Sequence, residues 1–391
     1  MALALTPELP QNTLGSLRFV SYVLAILTLA ACGSSSVASR HTPPPSPALS
    51  PSASAPASAS PSDSPSASPS PSPVPSPTPF VGYYAVLATP TNTDTYTVSL
   101  VGTDGSVVAS ATPSSPTAVT CGDAAAALVP VPVTTSQTRA YFLDAQGNVR
   151  FLTPNGETGV ATRVPTGGNV RSMFAVSPDD QRIAVVKDTF NASGATTVLY
   201  VENLNGGGNH VQIFSETGAY TLWPTGWIGS SGLVVAKVPS CTQGGPTCCG
   251  PQEYHVVNPA NGGRVNTVGG PTCIPVGDPS EAGTLCEDSS FSKANVLDWS
   301  GATRKSLTIQ GPTPAYLSPD GSEVALVVDN QTTFAGAKQT LDLVACGWID
   351  GSHVIAGGDT QSQPRVGNVA TGDIAPVAAQ GTCAGRIPGG L

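Results

Sequence analysis

The chain has 391 residues, of which only 10% are charged, and Lys+Arg 16 against Asp+Glu 25 give a net charge of −9. No basic face is available to neutralise phosphates, so nucleic acid is excluded as an expected partner. Gly 42 and Pro 38 are too many turn formers for long helices, and the short runs rich in Val, Thr and Ala between them are strand-like, which makes the composition all-β.

Residues 1–31 read as a signal peptide. The apolar run over 19–29 has the length of an export-signal core and is too short to span a bilayer, although Glu8 and a lone Arg18 make an unusual charged start. The run closes on Leu29-Ala30-Ala31-Cys32 and opens onto Gly33-Ser34-Ser35-Ser36. This stretch resembles the lipobox of bacterial lipoproteins. The resemblance implies cleavage before Cys32 and an acylated Cys32 that ties the chain to the cell membrane. The rest would then face the extracytoplasmic side, at a cell surface or in a periplasm. An uncleaved transmembrane anchor, the competing reading, gives the same topology.

After Cys32, residues 33–79 are almost wholly Ser, Pro and Ala. Such a segment has no apolar periodicity to bury and cannot offset the entropy of ordering, so 32–79 reads as a lipidated cysteine with a disordered stalk. At roughly 3.1 Å per residue in polyproline II the stalk reaches about 145 Å.

From residue 80 to 391 a pattern recurs: a short β-rich run, a tight Gly-containing turn, and a second run. It is found over 100–107 around Asp104-Gly105, 143–151 around Gly147-Asn148, 200–213 around Asn205-Gly206, 256–265 around Asn261-Gly262, 296–307 around Gly301 and 366–374 around Gly372. Each is a hairpin signal, because Gly and Asn tolerate the positive φ of such turns. A second hairpin type precedes several of these. The run 173–186, with Ser177-Pro178-Asp179-Asp180, is echoed by 315–328, with Ser318-Pro319-Asp320-Gly321, and two further copies begin at Trp227 and Trp348. Units of two hairpins repeating every 40 to 50 residues or so predict the four-stranded blades of a β-propeller. Seven blades are expected, starting near 80, 115, 168, 218, 270, 312 and 341. The weak second hairpin after residue 328 leaves six as the alternative. The run 382–387 is expected to return beside 83–87 and close the ring, removing exposed sheet edges.

The Ser-Pro-Asp-Gly turns followed by apolar strands resemble those of TolB-like, WD-repeat-like β-propellers. One copy matches fully and the other departs at Asp180. The resemblance implies an interaction platform, in which the motif residues shape the turn and carry no catalysis.

Apart from Cys32 there are eight cysteines, Cys121, Cys241, Cys248, Cys249, Cys273, Cys286, Cys346 and Cys383, an even number that argues for disulfides in an exported chain. Parity leaves the pairing open. Cys273 and Cys286 flank the first hairpin of the fifth blade, where a cross-strand bridge is reasonable, and Cys346 with Cys383 would tie the last blade to the closing run. Cys241, Cys248, Cys249 and His255 lie close enough in sequence for a metal site to compete, but no Cys-x-x-Cys pair is present and no metal is expected. The Gly/Pro-rich insertion 241–252 reads as a stapled loop of the fourth blade, either a recognition element or surface decoration.

No nucleophile elbow, zinc-protease motif, P-loop or dinucleotide fingerprint occurs, so no cofactor is expected. His210, His255 and His353 read as strand or turn residues. Asp104, Asp144, Asp179, Asp320 and Asp350 read as turn residues bonded to backbone amides. Trp227 and Trp348 are the candidate binding residues, since aromatic faces stack on ligands, although their equivalent repeat positions also suit blade packing. The expectation is a membrane-anchored, non-catalytic propeller binding an envelope protein as scaffold or sensor. The alternative is a polysaccharide binder, or a hydrolase or lyase, using the central funnel.

Overall fold

The structure, a computed structural model, describes residues 82–89, 94–117, 119, 132–191, 194–218, 220–239, 251–336, 339–359 and 361–391. Cys32, the stalk, Cys121, Cys241, Cys248 and Cys249 lie outside them, as do residues 241–250 of the insertion. Among the described residues no helix is long and apolar enough to cross a membrane.

Blade 1 takes β1 (Tyr84–Ala88), β2 (Val98–Gly102) and β3 (Val107–Ala111). Blade 2 is β4 (Val133–Thr135), β5 (Ala140–Leu143), β6 (Asn148–Leu152) and β7 (Thr158–Arg163), and blade 3 is β8 (Val170–Val176), β9 (Arg182–Asn191), β10 (Gly194–Asn203) and β11 (Val211–Gly218). Blade 4 is β12 (Tyr220–Ile228), β13 (Gly232–Pro239), β14 (Glu253–Val257) and β15 (Arg264–Gly269), and blade 5 is β16 (Ile274–Ser280), β17 (Gly283–Glu287), β18 (Lys293–Leu297) and β19 (Thr303–Thr308). Blade 6 is β20 (Ala315–Leu317), β21 (Val324–Val328), β22 (Gln331–Phe334) and β23 (Thr340–Leu341), and blade 7 is β24 (Gly347–Trp348), β25 (His353–Ala356), β26 (Arg365–Asn368) and β27 (Ile374–Pro376). The last strand, β28 (Thr382–Ile387), pairs with β1 and completes blade 1 in the order β28-β1-β2-β3. The protein is a seven-bladed β-propeller. The weak hairpin of blade 6 is real but minimal, since β23 has only two residues.

Side chains alternate across a strand, so a strand inside a stack of blades feeds two cores. In β9, Ile183 and Val185 join Tyr141 and Leu143 of blade 2, while Ala184 and Val186 join Trp227 and Leu233 of blade 4. The same arrangement recurs around the ring, and one apolar cluster fills each interface between neighbouring blades. Blades 3 and 4 also share a buried polar link. Asp188 accepts from Arg171 Nη2 at 3.0 Å, from Thr197 Oγ1 at 2.7 Å and from Thr221 Oγ1 at 2.5 Å.

Both Ser-Pro-Asp turns have one internal wiring. Ser177 and Ser318 donate to Asp179 and Asp320 at 2.6 and 2.7 Å, and accept from the amides of Arg182 and Glu323, each at 2.9 Å. The fourth position needs a left-handed backbone, with φ of 75° at Gly321 and 58° at Asp180. Asp tolerates that region better than most residues. Here it also gains partners in blade 2: Tyr141 Oη donates to Asp180 Oδ1 at 2.8 Å and Thr138 Oγ1 to Oδ2 at 2.7 Å. The departure from the glycine consensus is thus an inter-blade contact. Asp180→Gly should keep the turn and lose both bonds, lowering the unfolding free energy by about 1–3 kcal/mol in denaturant titration.

Two disulfides are formed, Cys273–Cys286 and Cys346–Cys383, with Cα separations of 5.1 and 5.8 Å. They are the pairs expected from the blade assignment, and they point to an oxidising compartment. The turn of the Cys273–Cys286 hairpin is at Glu281-Ala282, after β16, while Gly277-Asp278-Pro279 interrupts the strand itself. Cys346–Cys383 fastens the closing strand to blade 7. The double substitution Cys346→Ser with Cys383→Ser should cost about 2–4 kcal/mol of stability, read as a lower denaturant midpoint under oxidising conditions.

Candidate functional site

The innermost strand of each blade pairs on one side only, which leaves its other edge on the central channel. Proline is tolerated on such edges because its missing N–H would have no partner there. Pro224 of β12 and Pro279 of β16 both line the channel. The seven innermost strands enclose a cavity of about 330 Å³ whose wall includes residues from every blade.

One end of the cavity is closed by the chain that follows β28. Gly389 N donates to Ser136 O at 2.8 Å, Trp227 N donates to Gly390 O at 2.6 Å, and Gln137 Nε2 reaches Gly389 O at 3.1 Å. Gln137 also approaches Glu281 of blade 5 at 3.5 Å. Gly226 makes this crossing possible, since a Cβ there would sit 2.1 Å from Gly390 O. Leu391 packs against the Trp223 cluster.

Asp278 is the acidic group of the cavity, and a local irregularity aims it there. The register of β16 against β17 shifts between Val276 and Ser280, and Gly277 adopts φ 65° with no room for a Cβ against Ala315 O. Such a bulge re-aims the side chain it carries. The Asp278 side chain is exposed and opens on the cavity, and desolvation by the wall around it pushes its pKa up to about 6. Its charge in turn raises the phenols of Tyr254 and Tyr316, secondary to burial, and Tyr316 reaches about 12. Both tyrosines line the cavity. Arg386 of β28 lines it too, with Nη1 donating to Pro388 O at 2.5 Å. Burial holds its guanidinium below the ordinary value while the charge of Glu281 acts the other way. Three wall groups have buried polar atoms with no hydrogen-bond partner: Arg386 Nη2, Trp223 Nε1 and Ser280 Oγ.

The two expected tryptophans have different positions. Trp227 is fully buried between blades 3 and 4, with Nε1 donating to Ala175 O at 3.1 Å, and has no face to offer a ligand. Trp348 makes the equivalent bond to Tyr316 O at 2.9 Å, but it also lines the cavity. Blade packing sets the position of both. Trp223, which the sequence offers with Trp227, Trp299 and Trp348 as a possible funnel residue, lines the cavity, whereas Asp278, Arg386 and Tyr316 are the wall residues that sequence reasoning passed over. Only the Gly-Asp-Pro interruption of an apolar strand offered a signal.

The histidines lie elsewhere. His210 contacts Glu202 at 2.9 Å, His255 contacts Glu253 at 2.8 Å, and His353 sits between Asp350 and Asn368 at 3.0 Å each. Burial lowers the pKa of His255, with the Glu253 hydrogen bond opposing it. The turn aspartates cap backbone amides as expected: Asp104 that of Ser106, Asp144 that of Asn148, Asp179 that of Gln181, Asp320 that of Ser322 and Asp350 that of Ser352. Among the described residues no group of three or more metal-ligating side chains converges.

No family model matches the chain, and no curated protein matches it in sequence. Among solved structures it is similar to a functionally unknown protein from Desulfotomaculum acetoxidans at TM-score 0.46 and 10% identity, over 77% of this chain and 98% of that one. It is also similar to a protein of unknown function from Bacteroides caccae at TM-score 0.40 and 9% identity, over 78% and 98%. An oligogalacturonate lyase from Vibrio parahaemolyticus gives 0.37 and 10%, over 75% and 77%. Similarity at this level does not bear on what the chain binds or does.

The position of Asp278 fixes a pH dependence. Its folded pKa of about 6 lies above the roughly 3.9 of an unfolded aspartate, so the folded state binds the proton more tightly. The stability this gives is fully present below pH ~4 and is lost as pH rises through about 6. Asp278→Asn should therefore raise the melting temperature at pH 7 relative to wild type, and the difference should vanish towards pH 4.

Proposed function

We propose that this chain is an exported bacterial lipoprotein whose TolB-like propeller acts by binding, as a sensor or scaffold held outside the cytoplasmic membrane by acylated Cys32. The observation that carries the binding reading is the channel cavity. It gathers three buried polar atoms without a hydrogen-bond partner, Trp223 Nε1, Ser280 Oγ and Arg386 Nη2, beside the exposed carboxyl of Asp278, as a recognition site would. The lipobox-like Leu29-Ala30-Ala31-Cys32, the Ser/Pro/Ala stalk and the two disulfides support the location.

The large apolar side chains left exposed argue against one broad docking patch. Val108, Val160, Val211 and Val265 are on the outermost strands of four different blades, spread around the rim. The channel is the more concentrated feature. That same observation favours, as second reading, a funnel that takes an extracellular saccharide, since tryptophan faces stack on sugar rings.

Fractionation tests the anchor. Cys32→Ala should abolish metabolic labelling with a clickable palmitate, whereas labelling of the variant at the wild-type level rejects lipidation at Cys32. Crosslinking of the native protein in cells, followed by mass spectrometry, tests the binding role. Recovery of a stoichiometric envelope protein or a retained glycan supports it, and turnover of a cell-wall polymer by the purified chain overturns it.

A further inference from the structure

Six buried side-chain nitrogen or oxygen atoms among the described residues have no hydrogen-bond partner, and three of them are on residues of the cavity wall: Trp223 Nε1, Ser280 Oγ and Arg386 Nη2. The other three, on Ser115, Arg139 and Arg171, do not line the cavity. The wall atoms have a common chemistry. An indole N–H and a guanidinium N–H can only donate, and a hydroxyl can donate as well as accept. What the wall lacks is acceptor oxygens. Trp223 and Ser280 are 7% and 3% exposed, so bulk solvent does not supply them. A buried donor without an acceptor is costly, and a molecule that brings the acceptor recovers that cost.

The three donors gather at the end of the channel closed by the segment after β28. Arg386 Nη1 donates to Pro388 O, at the start of that segment. Trp223 belongs to the cluster against which Leu391 packs. Ser280 ends β16 and precedes Glu281, which Gln137 approaches while donating to Gly389 O. Strands of blades 1, 4 and 5 thus each bring a donor to the same place. Arg386 and Asp278 are the charged residues of the lining, one of each sign, and the exposed carboxylate of Asp278 is two residues before Ser280. The wall therefore offers donors to an acceptor and an acceptor to a donor, without an excess of either charge. A hydroxyl group is both donor and acceptor. A ring of hydroxyls suits all four groups, whereas a ligand with a bare negative charge would face Asp278 and one with a bare positive charge would face Arg386. A cavity of about 330 Å³ is at the small end of ligand sites and admits a single sugar ring or a cyclitol.

We propose that the closed end of the channel binds a compact uncharged polyol, with Trp223 Nε1, Ser280 Oγ and Arg386 Nη2 donating to its oxygens and Asp278 accepting from its hydroxyls. This rests on the reading of the channel as a binding site and names the ligand class of that site, a sugar-like ring recognised by hydrogen bonds. Arg386, tethered through Nη1 to Pro388 O, and Leu391, held by packing, are the parts of the wall that shift to admit the ligand's oxygens to the donors.

The test titrates the full chain in mild detergent with glucose, galactose and myo-inositol as neutral polyols. Glucosamine and glucuronate carry one positive or one negative group on the same kind of ring. Calorimetry and tryptophan fluorescence report the binding. At least one neutral polyol should bind at one site per chain, and more tightly than either charged probe. Ser280→Ala should weaken it about threefold to tenfold and Arg386→Met about tenfold or more. Trp223→Phe, which removes the N–H and keeps an aromatic ring, should weaken it severalfold. Thermal unfolding separates recognition from folding: Ser280→Ala removes a hydroxyl that has no partner in the unliganded protein, so its melting temperature should stay at or above that of wild type while its affinity falls. Failure of all three polyols to bind overturns the proposal, as does full affinity in both Ser280→Ala and Arg386→Met, and crosslinking in cells still decides the binding reading in that case. Tighter binding of glucosamine or glucuronate rejects the uncharged class and leaves a binding protein. Chemical conversion of a polyol rejects the binding-only reading.

Discussion

The structure depends on apolar contact between neighbouring blades. No blade has a core of its own: one four-stranded sheet has two apolar faces, and each is covered only by the next sheet in the ring. In β9 adjacent residues face opposite interfaces, so Ile183 and Ala184 belong to different clusters. Burying side chains of this size is worth roughly 1.5–3 kcal/mol each, and the first and last blades realise it only when the ring is closed. The pairing of β28 with β1 supplies that closure, and Cys346–Cys383 fixes it covalently. The polar links at Asp188 and Asp180 also run between blades, and set the register in which neighbouring sheets meet.

The same closure creates the site. Seven innermost strands have free edges, and a ring turns those edges towards one space. Most of the wall is apolar or is satisfied by backbone, and it accommodates Pro224 and Pro279 without loss of ladder bonds. The exception is the bulge at Gly277-Asp278-Pro279, which directs a carboxyl into the channel and leaves it raised in pKa by burial alone. Turn aspartates show the opposite behaviour: Asp104 is held below the usual range by the Ser106 hydroxyl and amide.

Much of the architecture was legible in the sequence for local reasons. Gly105, Gly147, Gly206, Gly262, Gly301 and Gly372 all have positive φ at the turns where hairpins were expected. The apolar alternation around those turns fixed the strands, and the spacing fixed the blades. Cys273–Cys286 followed from strand pairing within one hairpin, and Cys346–Cys383 from the expected return of the last strand. Trp227 and Trp348 were recognisable as equivalents, and each uses its indole N–H to bind the preceding blade.

By itself the sequence determined the all-β class, the repeat of two-hairpin blades and the closing strand, since each is written in short-range patterns of turn formers and apolar alternation. Only the tertiary structure decided the site. Asp278, Trp223, Tyr316 and Arg386 are separated along the chain and come together because ring closure brings strands from different blades around one axis. Whether Asp278 is an ordinary turn residue or a carboxyl on the channel wall depends on the bulge that re-aims it and on the blades that ring closure brings around it.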